Sequence, residues 1–560
     1  MSERMMVGRA GLAALTLALA ASAACDNEPL GEPSPRIQEV LQDADSTAEL
    51  ALPNGDTILL SPPIVAFYRE RGYRQAWTDY DEILERGWAL LETMDDSELD
   101  GLDPQRYRYP LAYRMVQQVE GDSIDESREP AQMAEVDMVL SEVFARYADH
   151  LAGGTIDPNA SGLNWQIPRD RAPVGELLRQ IVAGEDPAEL VAGLRPQAPE
   201  YERLMHARAK YDSIAARGGW SEVPEDTPDE IGESGAGVSA LRQRLIAERD
   251  PAEARLASAG VAQPERFDEE LKQGLEHFQA RHGLDPDGAL GELTLEALNT
   301  SVADRLLQIK LNMDQWRWLP YDLGDRYILV NVAGFELEVV DQDSVVMTMN
   351  VVVGQEGWET PIFRDTMETI VVNPYWNVPA SIEREEVLPR VRSDPGYLAR
   401  NDMEVLRGNN VVNPYSISWG AVSPGSVRFR QRPGPQNALG QVKFLFPNRN
   451  NVYLHDTPAD QYFSRTSRAF SHGCIRIEKP LELARYLFRT VTDRSVEDLE
   501  TLLARDSEQW VRVTEPVPVY ILYFTAWAGR DGTVRFYPDV YERNRVLDEQ
   551  ARRKLQVAAR

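Results

Sequence analysis

Cysteine is nearly absent from this chain of 560 residues, which holds two, Cys25 and Cys474, and histidine is almost as sparse at six. Two cysteines so far apart do not read as a disulfide framework. A single thiol in the body of the chain is a candidate nucleophile, although free cysteine is also a common buried apolar residue, so the count alone leaves both readings open. Net positive charge is lacking too. The formal net charge of -31 repels phosphate backbones, so no nucleic-acid partner is expected. No cluster has metal-ligand spacing, so neither a metal nor another cofactor is expected. Low-complexity tracts and repeats of solenoid period are also missing. What remains is ordinary globular composition, 43% hydrophobic and 27% charged, in a chain long enough for about three to five domains.

The first residues read as an export signal. Arg4 and Arg9 precede an apolar stretch from Ala10 to about Ala20 that is too short for a comfortable membrane span. Ala21-Ser22-Ala23-Ala24 before Cys25 resembles a lipoprotein processing box, with Ser22 where Leu is usual. That resemblance implies lipidation of Cys25 and, through Asp26, retention at the inner membrane by one anchored end; a plain cleaved signal is the alternative.

Composition and periodicity divide the rest. Residues 26–50, rich in Pro, Glu, Asp and Ser, read as a flexible tether. Residues 51–215 show apolar spacings of three and four and read as a helical support domain. Residues 216–236, with Gly218-Gly219 and Gly232 to Gly237, have linker composition. A compact helical unit is expected over 237–300. From about 326 the period becomes that of strands, with helices returning at Leu481 to Phe488 and Val496 to Leu503, which suggests a β-rich domain over 326–505. Residues 506–560 read as a C-terminal extension with a hairpin-like stretch from Val517 to Phe536 turning at Arg530-Asp531-Gly532. The expected fold class is therefore multidomain α+β.

The string Ser471-His472-Gly473-Cys474-Ile475-Arg476 carries the chemistry. A cysteine attacks carbonyls as its thiolate and needs a base or cation beside it. His472 and His455 are both near. The N–H groups of Gly473 and Cys474 are expected to form an oxyanion hole. Arg476 either pins a substrate carboxylate or orients the loop. Spacing alone also allows a buried cysteine with two histidines nearby by chance. His277 and His282 do not stack on one helical face and are read as structural.

SHGCIR, with His455-Asp456-Thr457-Pro458 upstream, resembles the signature of the L,D-transpeptidase catalytic domain. Further likeness lies in Thr360-Pro361, in Asn373 to Pro379 and in Asn437 to Gly440, which are similar to the large, lidded members of that family. The resemblance implies a Cys474 nucleophile, a His455 base, His472 and Ser471 as support near the oxyanion site, and Tyr453 in the active-site wall. It implies a lid insert at about 380–440, with Trp376 either lining the groove or simply buried. Leu275 to Gly288, continued by Gly291 to Asn299, resembles the three-helix peptidoglycan-binding domain, and the N-terminal helical region resembles the scaffold domain of the same large proteins. The implied activity is periplasmic 3→3 cross-linking of peptidoglycan stem peptides through a cysteine thioester, with acylation by carbapenems. Hydrolysis of the same acyl-enzyme as an L,D-carboxypeptidase, or a non-catalytic wall-binding scaffold, are the rivals. Signatures of other thiol proteases are absent around Cys474.

Overall fold

The computed structural model describes residues 32–558, leaving out 80–81, 122–128, 160–162, 164, 249, 251–252, 254–255, 257–262 and 343. The export-signal and Cys25 lipidation expectations lie outside the described residues. No helix among the described residues is long and apolar enough to cross a membrane.

A first hydrophobic core gathers helices Pro35–Leu41, Pro62–Glu70, Glu85–Asp95, Tyr109–Glu120, Glu129–Gly153 and Val174–Val182 around a hairpin of β1 (Ala48–Ala51) and β2 (Thr57–Leu60). Most of the expected tether is therefore structured. Ser34 caps the first helix, Ile37 and Leu41 stack one turn apart into the core, and Ala48 and Leu50 bury one side of β1. Asp137 is the hub of this unit. Its carboxylate accepts from the Tyr68 hydroxyl at 2.5 Å, from the N–H groups of Ala76, Trp77 and Thr78, and from the Thr78 hydroxyl.

Helices Ala236–Ala247, Glu269–Arg281 and Glu292–Asn299 enclose a second, small core. The middle one stops at Gly283, whose φ of 66° supplies a left-handed exit. The segment read as linker belongs to this unit. Val223 is buried in its core and exchanges two hydrogen bonds with the Asn299 side chain, at 2.8 and 3.0 Å. A buried polar seam ties the unit to helix Pro199–Ala215. There the Tyr211 hydroxyl donates to Glu248, which also receives Arg244 and Arg281.

The remaining strands are β3 (Arg326–Asn331), β4 (Glu336–Asp341), β5 (Ser344–Gly354), β6 (Phe363–Val372), β7 (Trp376–Asn377), β8 (Met403–Arg407), β9 (Asn410–Val412), β10 (Arg428–Gln431), β11 (Val442–Leu445), β12 (Leu454–His455), β13 (Ala469–Ser471), β14 (Ile475–Ile477), β15 (Gln509–Leu522), β16 (Ala526–Ala528) and β17 (Val534–Phe536). The main sheet runs β13-β5-β14-β12-β11-β6-β15-β3-β4, and β4 returns to pair with β5. The strands from β5 round to β4 thus close on themselves, which removes the exposed edges of an open sheet. Helices Pro480–Val491 and Val496–Leu503 form at the expected places, and their apolar faces join the same core.

The extension is not separate from this sheet. β15 lies between β6 and β3, so Val517 to Leu522 is a central strand, and the hairpin is limited to β16 and β17. The insert makes its own four-stranded sheet, β7-β10-β8-β9, over a private core that includes Leu388, Val391, Leu398, Val405 and Phe429. Its root is stapled by the buried Asn437 amide, which donates to the carbonyls of Pro374 (3.0 Å) and Arg432 (2.9 Å).

Candidate active site

Strands β12 and β14 are parallel neighbours, with Leu454 opposite Ile475 and His455 opposite Arg476. Leu454 and Ile475 are fully buried in the main core. Side chains alternate along a strand, so Tyr453, His455, Cys474 and Arg476 share the other face. Lys443 on β11 is in register with His455, so a basic side chain flanks the imidazole on each neighbouring strand.

The sulfur of Cys474 lies 3.7 Å from the Asn451 carbonyl. Burial pushes its thiol above the ordinary value; hydrogen bonds from the Tyr453 N–H and hydroxyl, and the charge of Arg476, act in the opposite direction. Burial, then the neighbouring sulfur, hold the Tyr453 phenol well above its usual value. Tyr453 is thus an electrostatic neighbour of the sulfur.

His455 is buried, and its Nδ1 meets the Asp456 carbonyl at 2.5 Å. A carbonyl only accepts, so Nδ1 carries the proton and Nε2 keeps the lone pair. Burial holds the ring neutral down to a pKa of about 3, with Arg476 and Lys443 adding to the depression. No hydrogen bond joins His455 to Cys474 among the described residues. The tilted rings of His455 and Tyr453 are 5.6 Å apart. At rest the site therefore sets a protonated thiol and a neutral imidazole on adjacent strands.

The Gly473 N–H already donates to the Ser471 hydroxyl at 3.1 Å, and that hydroxyl donates to the Cys474 carbonyl at 2.5 Å. Ser471 is thus the pin of the loop. The Cys474 N–H has no hydrogen-bond partner among the described residues. Gly473 has φ 102°, a conformation that side chains disfavour. Thr360, whose function was not legible in the sequence, donates to the Gly473 carbonyl at 3.0 Å and accepts from the Gly354 N–H at 2.9 Å, locking the loop to β5.

His472 points away from its loop. Its Nε2 is 3.2 Å from the Glu386 carboxylate of the insert, and its ring meets Trp358 edge-on at 5.1 Å. Arg476 is half-buried, 5.8 Å from the Tyr462 ring, and no carboxylate pairs with it among the described residues. Trp376 lies in β7 and packs on the core of the insert, so it belongs to the root of the insert rather than to the cysteine face.

Away from this face, Asp250, Glu253 and His277 bring potential ligand atoms within 4.8 Å of one another. Glu253 there grips Arg281 through both oxygens, at 3.0 and 3.2 Å. A guanidinium already supplies the positive charge, which disfavours a cation beside it. His282 is stacked on Phe278 at 3.8 Å, a packing role.

Comparison with known proteins agrees with this layout. Residues 62–207 match a family described as "Scaffold domain", residues 234–298 one described as "Putative peptidoglycan binding domain", and residues 325–513 one described as "L,D-transpeptidase catalytic domain". A "Putative L,D-transpeptidase" of Haemophilus influenzae is 33% identical over 227 residues, which take in 40% of this chain and 45% of that protein. The matched stretch thus spans less than half the length of this relative. Among solved structures, an L,D-transpeptidase from Stackebrandtia nassauensis is 14% identical, over 53% of this chain and 95% of that one, with a TM-score of 0.20. One from Mycobacterium smegmatis is 13% identical, over 35% of this chain and 58% of that one, with a TM-score of 0.19. Scores so low carry no argument about shape. The chain is a multidomain protein with scaffold, peptidoglycan-binding-type and L,D-transpeptidase catalytic domains, and it is similar to a putative L,D-transpeptidase.

Proposed function

We propose that the protein forms 3→3 peptidoglycan cross-links in the periplasm, with Cys474 as nucleophile and His455 as base, and that a lipidated Cys25 holds it at the inner membrane. The observation that carries the reading is the shared face of Tyr453, His455, Cys474 and Arg476, with the imidazole held neutral and its Nε2 free to take a proton.

The depressed histidine and the raised thiol favour proton transfer during attack over a stored ion pair. In the first half-reaction Cys474 attacks the carbonyl of the third stem residue of a tetrapeptide donor, meso-diaminopimelate. The thiol proton passes to His455 Nε2, and the oxyanion is met by the Cys474 N–H. One such donor is worth about 3 kcal/mol of barrier. The C–N bond to the terminal D-Ala breaks, and the D-Ala nitrogen takes the proton from His455. In the second half-reaction the side-chain amine of another stem attacks the thioester and frees the thiol. Arg476, which no carboxylate pairs among the described residues, is suited to hold a carboxylate of the donor.

Incubation with a purified disaccharide-tetrapeptide, followed by mass spectrometry, tests the reading. Cross-linked dimer lacking one D-Ala is the expected product. Tripeptide alone means an L,D-carboxypeptidase, and unchanged substrate means a wall-binding scaffold.

A further inference from the structure

We propose that Glu386 receives the ammonium group of the acceptor stem, making the insert part of the second half-reaction; this rests on the transpeptidase reading above. The helical segment from Ala380 to Ser393 carries three carboxylates with different fates. Glu383 is buried and accepts from the Gly425 N–H at 2.8 Å, which fixes the segment to its own unit. Glu385 is taken by its neighbour Arg384 at 2.7 Å. Glu386 alone of the three reaches out of the insert, to His472 Nε2 at 3.2 Å, with Arg390 of its own helix more distant at 3.7 Å. Its side chain is 36% exposed, so a second partner has access to it.

The position matters because of what lies on either side. His472 stands two residues before the nucleophile and is braced by Trp358. The row across the sheet beneath carries Lys443 and Arg476 on the two strands flanking His455. Arg476, which no carboxylate pairs among the described residues, therefore offers a cation to a carboxylate of a donor stem, while the insert brings a carboxylate to the loop beside the thioester. An acceptor amine arrives as an ammonium, which only donates hydrogen bonds and so calls for a carboxylate. The same charge repels donor carboxylates from the acceptor side, which separates the two stems by sign. In the step itself the nitrogen–carbonyl bond forms and the carbonyl–sulfur bond breaks. Of the two protons that the ammonium loses, one ends on the Cys474 sulfur and the other passes to solvent.

The test uses the full chain with disaccharide-tetrapeptide as donor and a meso-diaminopimelate tripeptide stem as added acceptor, and follows the ratio of cross-linked dimer to hydrolysed tripeptide as acceptor is raised. Glu386→Gln is expected to lower that ratio about tenfold, the loss of one charge-assisted contact, mainly through a higher acceptor KM. Glu386→Asp should restore part of it, and Glu385→Gln should leave it at the wild-type value. An unchanged ratio in Glu386→Gln overturns the proposal, as does a fall in D-Ala release with the ratio constant, because a mere brace for His472 would slow both outcomes together. No D-Ala release from the wild-type chain would overturn the transpeptidase reading, and this inference with it.

Discussion

Alkylation of Cys474 should report a sulfur that is protonated at rest and governed by Tyr453 rather than by His455. Burial raises the thiol, and the groups that oppose the rise are Tyr453, through its N–H and its hydroxyl, and Arg476. An ordinary thiol with a pKa of about 8.5 is about 3% thiolate at pH 7, and Cys474 should be less ionised than that. A hydrogen bond to a charged group is worth about 1.5–3 kcal/mol, and about 1.4 kcal/mol corresponds to one pKa unit. Tyr453→Phe should therefore raise the alkylation midpoint by about one to two pH units. His455→Ala removes a neutral ring that makes no hydrogen bond to the sulfur, and should shift the midpoint by less than about half a unit. The assay is the rate of iodoacetamide labelling from about pH 6 to about pH 11, read by intact mass and assigned to Cys474 by peptide mapping. A wild-type midpoint below neutrality, or one that rises sharply in His455→Ala, would refute the reasoning, since either means a standing thiolate–imidazolium pair.

Carbapenem exposure should add one adduct, on Cys474, by intact mass, and Cys474→Ser should keep the fold and show none; a second adduct elsewhere would break the assignment. Ser471→Ala removes the acceptor of the Gly473 N–H and the donor to the Cys474 carbonyl, so it should cost about 1–3 kcal/mol in denaturant melts and slow acylation. Asp137→Asn puts an amide where a carboxylate accepts from three backbone N–H groups and two hydroxyls. Thermal unfolding should show a loss of about 3–5 kcal/mol, mostly in the N-terminal unit. The folded pKa of His455, about 3, lies below the ordinary 6.5. The unfolded chain thus binds this proton first, and the stability involved is present above about pH 6.5 and lost as pH falls towards about 3. At pH 5 the loss is about 2 kcal/mol, and His455→Gln should remove that increment between melts at pH 7 and pH 5.

The fold was legible where local pattern and tertiary role coincide. The strands from β3 to β5 announce themselves by short apolar, β-branched runs between turn residues, and the helices at 480 and 496 by their spacing. The failures share one cause, that composition reports the chain's immediate neighbours and not its distant partners. Residues 32–50 are polar enough to read as a tether, but Ile37, Leu41 and Leu50 are all fully buried against helices far along the chain. Val223 sits among glycines and acids and is nonetheless buried against the small helical unit. Val517 to Phe536 reads as the hairpin of a separate extension, whereas Val517 to Leu522 continues β15 past a shift in its register with β6 and lies between β6 and β3. That strand pairs residues more than a hundred positions apart, which no window of sequence contains.

At the site the limit is finer. Parity of position is enough to put 453, 455, 474 and 476 on one face once the two strands are known to be neighbours. It does not say which of two rings reaches the sulfur. The observed register sets His455 level with Arg476, and extending it by one residue sets Tyr453 level with Cys474. The Ile475 N–H donating to the Tyr453 carbonyl at 3.2 Å fixes that offset. A slip of two residues would keep the face and exchange the neighbours. The backbone N–H of Gly473 is a similar case. Its sequence context advertises an oxyanion donor, but a serine two positions earlier in the same tight loop can fold back and take it. The residues proposed for the chemistry could be named from the sequence because their types are rare. The order in which they touch one another could not, because it is set by hydrogen bonds between strands whose pairing the sequence does not state.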